Sequence, residues 1–100
     1  MTRRILFRPE AEAELVEAAK WYEERGKGLG ADFLRAVDVA IAAIERHPFA
    51  YRKVFGEVRR VLLRRFPYGV IYAVTDDEIV ILACMHGRRD PRRWKERVKP

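Results

Sequence analysis

A single cysteine, Cys84, leaves this 100-residue chain without an internal disulfide. Its stability must come from packing, and the composition suits a reducing cytosol. Only two histidines are present, His47 and His86. Neither sits in a run of Cys, His or acidic residues at ligand spacing, so no metal and no cofactor are expected. No apolar stretch approaches the roughly 20 residues that span a bilayer. Met1-Thr-Arg-Arg is not followed by the apolar core of a signal peptide. A cytoplasmic protein with no membrane role is the expectation. There is no internal repeat and no low-complexity segment. Acidic residues are scarce in one half: residues 51–100 hold 6 Asp/Glu against 13 Lys/Arg, a net +7, whereas residues 1–50 hold 9 against 8, a net −1. The formal charge of +6 therefore belongs to the second half. Lysine is scarce too, at 5 against 16 arginines. Arginine's planar fork suits bidentate contact with phosphate or carboxylate, so acidic partners are expected, either nucleic acid or an acidic protein segment.

What is present is enough apolar residue, 49% of the chain, for one modest core and one domain over residues 1–100, the last ten forming a basic tail or short helical turn. Arg4 to Arg8 reads as a short strand stopped by Pro9, which suits the first turn of a helix. From Glu10 the period changes: Ala11, Leu15, Ala18 and Tyr22 share one helical face, and the acids cluster toward the N-terminus, where the helix dipole favours them. Trp21 and Tyr22 are expected in the core. Gly26, Gly28 and Gly30 break this helix; without a preceding strand or a Gly-Lys-Ser/Thr they predict a C-cap and tight turn, not a phosphate cradle. A second amphipathic helix is predicted from about Ala31 to His47, with Phe33, Val37, Ala40, Ile41 and Ile44 on its apolar face and Pro48 ending it. His47 is expected to be structural.

Residues 49–57 read as a polar and aromatic connection. Val58 to Phe66 reads as a strand bearing Arg59, Arg60, Arg64 and Arg65; Gly69 to Thr75 as the next; and Asp76-Asp77 as a hairpin turn into the last. That last strand, Ile79 to Met85, is uncharged and rich in β-branched residues, the mark of a strand buried on both faces. It runs abruptly into His86-Gly87-Arg88-Arg89-Asp90-Pro91-Arg92-Arg93-Trp94, a fixed block of positive charge at one edge. Cys84, inside the apolar run, is expected to be a small buried hydrophobe rather than a nucleophile. The order β-α-α-β-β-β predicts an α+β fold with a helical hairpin on one face of an antiparallel sheet.

Taken together, Ala11-Glu12-Ala13-Glu14-Leu15, Trp21-Tyr22, Phe33, Ile44 to Pro48, Val58-Arg59, Phe66-Pro67-Tyr68, Val70-Ile71-Tyr72 and the ending at His86 to Trp94 resemble the RelE/ParE toxins of bacterial type II toxin–antitoxin modules, over nearly the whole chain. The resemblance implies a partner antitoxin whose acidic, flexible segment wraps the toxin. It also implies one of two targets: the ribosome and its mRNA for RelE-like members, which cut the message, or DNA gyrase for ParE-like members, which lack the cutting residues. RelE-like enzymes usually carry an arginine between the Tyr and the apolar pair, where this chain has Gly69, and the His86-to-Asp90 ending is more similar to ParE. The resemblance therefore implies a ParE-like gyrase inhibitor.

A metal-independent ribonuclease needs a base for the 2′-hydroxyl, cations for the phosphate and an acid for the leaving oxygen. His86, Arg65 and Arg88 are the candidate catalytic residues should the chain be RelE-like. Arg59, Arg60, Arg64, Arg89, Arg92, Arg93 and Trp94 are the candidate target- or antitoxin-binding residues. A basic binding module without toxicity is the third reading.

Overall fold

Pro9 closes one element and opens the next. The computed structural model describes residues 3–87 and 91–98; there, strand β1 (Arg4–Phe7) stops at Arg8, and helix α1 (Pro9–Arg25) starts with the proline in its first turn, where a missing N–H leaves no intrahelical bond unmade. Helix α2 (Leu29–Arg46) follows two residues earlier than the apolar period predicts. Glu23 explains the early start. Its carboxylate accepts the backbone N–H groups of Gly28 (3.1 Å) and Gly30 (3.0 Å), neutralising the donor-rich end of α2. Gly28, at φ 88°, supplies the left-handed turn between the helices.

Gly30 is buried where α1 and α2 cross. A Cβ there would lie 2.7 Å from the Ala19 carbonyl oxygen, which belongs to rigid helix backbone. Gly30→Ala is expected to destabilise the fold by about 1–3 kcal/mol through forced separation of the helices. Thermal unfolding by circular dichroism measures it, and an unchanged midpoint would mean that the crossing is slack.

The strands are β2 (Arg52–Phe55), β3 (Val58–Leu62), β4 (Tyr68–Val74) and β5 (Glu78–His86), in the sheet order β1-β5-β4-β3-β2. The helical hairpin returns the chain to the end of the sheet it left, so β2 runs opposite to β1, and three further reversals bring β5 parallel to it. The α+β layout is as expected, but the sheet is mixed: β1 pairs with β5 in parallel, and the other three pairs are antiparallel. Strand β5 is flanked on both sides, as its composition predicts. Two differences concern the middle of the chain. The connection expected over 49–57 contains the edge strand β2, which was too short to show a period. The strand expected to reach Phe66 ends at Leu62, so Arg64 and Arg65 lie in a bend rather than in the sheet, with Arg65 in the left-handed region at φ 71°.

A bulge in β5 decides which side chains face which layer. Ile71 pairs with Ala83 but Tyr72 pairs with Ile81, so Leu82 is an extra residue. Ile79, Ile81 and Cys84 face the helices together with Val61, Val70, Tyr72, Phe33, Val37 and Ile44. Leu82, Ala83 and Met85 face the opposite side with Val58 and Ile71. That second face is covered by the short helix α3 (Arg92–Lys95), whose Trp94 is buried. Of the two readings for the C-terminal segment, tail or short helical turn, the structure shows the second up to Val98: it folds back as α3 and one 3-10 turn (Glu96–Val98).

Within the helix-side core, Phe33 stacks on Tyr22 (5.4 Å between centroids) and meets Phe66 and Tyr68 edge-on at 5.3 and 5.1 Å. Trp21, by contrast, departs from the core expectation. It is 47% exposed and lies beneath the Arg25 guanidinium, 3.6 Å from the ring centroid.

Candidate functional site

The basic block behind β5 enters the fold at His86, and two clefts open there, one on each face of the sheet. The inner cleft, about 530 Å³, lies between α1 and the ends of β4 and β5 and is lined by Glu17, Trp21, Tyr22, Tyr68, His86 and Arg93 among others. The outer groove, about 300 Å³, runs between β2–β3 and α3. Arg52, Lys53, Arg60 and Lys95 line it, Ile71, Met85 and Trp94 form its floor, and His86 and Gly87 close one end. His86 borders both clefts. Tyr68, opposite it across the β4–β5 ladder, meets its ring edge-on at 5.5 Å.

The pleat separates residues that are adjacent in sequence. Arg59 and Arg60 face opposite sides of β3. Arg59, on the helix side, donates to the carbonyl oxygens of Tyr51 (2.7 Å) and Phe49 (3.1 Å), and its guanidinium lies 5.4 Å from the Phe49 ring. It clasps the α2–β2 connection and holds edge strand β2 in place. Tyr72 does the same from below, donating its hydroxyl to the Pro48 carbonyl at 2.7 Å. Burial pushes the Tyr72 phenol up to about 12. Tyr72 is thus anchored on the helix side and holds its proton, so it supplies no acid to the outer groove. Tyr72→Phe is expected to cost about 1–2 kcal/mol in urea unfolding by orphaning the Pro48 carbonyl.

Arg60 lies on the outer side, its stem laid over Gly69: a Cβ at position 69 would sit 3.0 Å from Arg60 Cδ. Gly69, which departs from the RelE-like pattern, thus gives Arg60 its place. Arg64 is exposed in the bend. Arg65 is there too, 3.9 Å from Asp32 at the start of α2. Arg93 is exposed at the inner cleft and Arg92 is exposed on α3. Trp94 is committed to the core, its ring 6.1 Å from that of Phe55. Arg88, Arg89 and Asp90 lie outside the described residues. The candidate catalytic trio is therefore represented by His86 and Arg65, on β5 and in the 63–67 bend. Arg65 does not line either cleft.

Sequence reading missed Arg52, Lys53 and Lys95, which line the outer groove, because β2 and α3 are each only four residues long. It also missed Glu14 and Arg97. Strand β1 ends at Phe7, opposite Ile81, leaving the next edge of β5 unpaired. There Glu14 accepts the Cys84 N–H at 3.1 Å, and Arg97 donates to the Leu82 carbonyl at 2.9 Å. The two side chains pair bidentately with each other at 3.0 and 3.1 Å.

Burial, with Glu14 nearby, pushes the Cys84 thiol up to about 12. It stays protonated at neutral pH. Native protein is expected to be inert to a thiol reagent that labels it at once in denaturant; rapid native labelling would place Cys84 at the surface. Since both Cys84 and Tyr72 hold their protons more tightly when folded, the stability they contribute is present below their unfolded values, near 8.5 and 10. It is lost as pH rises from there toward 12. Among the described residues, no three His, Cys, Asp or Glu side chains cluster to hold a metal ion, and no helix is long and apolar enough to cross a membrane.

The model of the ParE toxin of type II toxin–antitoxin systems, parDE, matches residues 5–91. Toxin ParE2 of Mycobacterium tuberculosis, in strains CDC 1551 / Oshkosh and ATCC 25618 / H37Rv, is 34% identical over 92 residues, covering 91% of this chain and 88% of the relative. Among solved structures, the chromosomal ParDE system from P. aeruginosa aligns with a TM-score of 0.76 at 19% identity, over 85% of this chain and 96% of that one. A double arginine-to-alanine mutant of E. coli toxin RelE in the free state aligns at 0.63 with 12% identity, over 99% and 100%. At these identities both structures speak to the fold alone.

Proposed function

The chain belongs to the ParE family of type II toxin–antitoxin toxins, and from that premise we propose that it inhibits DNA gyrase by binding and is neutralised by a cognate antitoxin. The observation that carries a binding role over a cutting one is the outer groove. Its described lining holds cations and His86 but no carboxylate and no tyrosine. Cleavage of an RNA backbone needs both a base and an acid beside the phosphate. One imidazole at the end of the groove fills at most one of those roles; Tyr68 meets His86 only at the inner cleft, where the Glu17 carboxylate opposes a phosphodiester, and Tyr72 is anchored to Pro48. The antitoxin is expected to present an acidic, flexible segment to the positively charged second half of the chain.

The test is a pulse-label after induction in growing cells without antitoxin, with DNA and protein synthesis followed separately. DNA synthesis is expected to fall first, and purified protein is expected to abolish supercoiling by gyrase. Protein synthesis falling first, with new 5′ ends in messenger RNA, would establish the endoribonuclease alternative and make His86 the residue to substitute. Undisturbed growth would leave a basic binding module without toxicity. Co-expression of the antitoxin is expected to restore synthesis in either toxic case.

A further inference from the structure

Arg52 and Arg60 stand directly opposite each other across the β2–β3 ladder, on the same outer face. Like charges in that register repel and destabilise a sheet. Neither forms an ion pair or a hydrogen bond with another described residue. Their neighbours are already compensated: Lys53 pairs with Glu57 at 2.8 Å, and Lys95 lies 4.8 Å from the centre of the Phe55 ring. Gly69 leaves space for the Arg60 stem, and Arg59 and Tyr72 fix the connection that carries β2. The fold thus brings two arginines, neither with a counter-charge among the described residues, to one outer face over an apolar floor, in a groove whose described lining includes no carboxylate. Such a pair is stabilised by an external anion that spans both groups.

We infer that the outer groove is a binding site for the phosphodiester backbone of duplex DNA, gripped by Arg52 and Arg60 without being cut. Guanidinium forks match phosphate oxygens bidentately, and a backbone of regular charge suits a groove lined by four cations. Duplex DNA is the occupant because the gyrase reading brings the toxin to a duplex, and the same groove would hold an RNA backbone without cutting it, which makes RNA the competitor the experiment must exclude. The inference deepens the gyrase reading and rests on it for its setting: the toxin then engages gyrase together with the enzyme's DNA, rather than gyrase alone.

The experiment uses the purified chain and a short random-sequence duplex, followed by fluorescence anisotropy across a salt series, with no gyrase present. Wild-type protein is expected to bind. The Arg52→Gln/Arg60→Gln variant is expected to bind at least tenfold more weakly at the lowest salt. Each lost phosphate contact removes about 0.9 from the logarithmic salt slope, so over a roughly fourfold rise in salt the wild type is expected to lose about 12-fold more affinity than the variant. Arg25→Gln/Arg46→Gln, two exposed arginines on the helical hairpin away from the groove, serves as the charge-matched control and is expected to retain the wild-type slope. The double variant is expected to melt at or above the wild-type temperature, since it relieves repulsion, so folding and binding are read separately. Equal slopes for wild type and double variant would overturn the inference. So would preference for single-stranded RNA, or arginine-dependent binding of polyglutamate in place of DNA. Gyrase inhibition that persists at full strength in a variant unable to bind DNA would also overturn it while leaving the gyrase reading intact. No gyrase inhibition beside arginine-dependent DNA binding would do the reverse.

Discussion

Trp94→Ala is expected to lower folding stability by about 3–5 kcal/mol, because the indole is the lid of a core rather than a contact waiting for a partner. The ring is 6% exposed and packs on Val58, Ile71, Leu82, Ala83 and Met85, the side chains that β3, β4 and β5 turn away from the helical hairpin. Without it that face is an open apolar sheet, and the outer groove loses its floor. Domains of this size hold on the order of 5–15 kcal/mol in total, so the loss is a large share of the whole. For a chain of this length it corresponds to a fall in melting temperature of more than about 12 °C. Trp94→Phe, which keeps most of the buried area, is expected to recover much of the loss. An independent readout comes from Trp21→Phe, which leaves Trp94 as the sole tryptophan: its emission is expected to be blue-shifted and shielded from acrylamide. Quenching at the rate of free tryptophan, with an unchanged melt in Trp94→Ala, would show that α3 is not docked and would return Trp94 to the surface residues available to a partner.

The fate of Trp94 shows where sequence reading reached and where it stopped. Long periodic elements were legible. The apolar face of α2 lies in the core as its spacing predicts, and the uncharged run of β5 identifies an internal strand. Short elements were not: a four-residue strand or helix carries about one repeat of its own period, too little to distinguish from a connection. The direction of β1 was also hidden, since periodicity reports which face is apolar and not which neighbour a strand takes. The arginines were legible as charge but not as roles. Arg59 and Arg60 are adjacent in sequence, yet the pleat turns one inward to clasp the backbone at Phe49 and Tyr51 and the other outward over Gly69. Arg59→Glu would therefore disturb the placement of β2 before it reported on any partner. The Leu82 bulge exchanges the faces of every later residue in β5, and no local signal in an all-apolar run marks it.

Arg97→Ala carries the other large effect, expected at about 2–4 kcal/mol in urea or thermal unfolding. The guanidinium is 15% exposed and the Glu14 carboxylate 23%, so removal of the arginine leaves an acid largely withdrawn from water with no counter-charge, and leaves the Leu82 carbonyl without its donor. The pair also ties the end of the chain to α1: Arg8, at the start of α1, donates to the Arg97 carbonyl at 2.9 Å. Replacing both partners with apolar residues of similar volume removes the charge problem but not the backbone one, since the Cys84 N–H and Leu82 C=O at the open edge of β5 then lose both of their side-chain partners. Glu14→Leu combined with Arg97→Met is therefore expected to cost less than the sum of the two single changes, with a coupling of about 1–3 kcal/mol, yet to remain less stable than wild type. A double variant as stable as wild type would mean that water serves the edge equally well and that the pair is dispensable. High salt separates the two contributions further. An exposed ion pair weakens as ions screen it, whereas this one, enclosed between α1, β5 and the C-terminal turn, is expected to keep most of its effect.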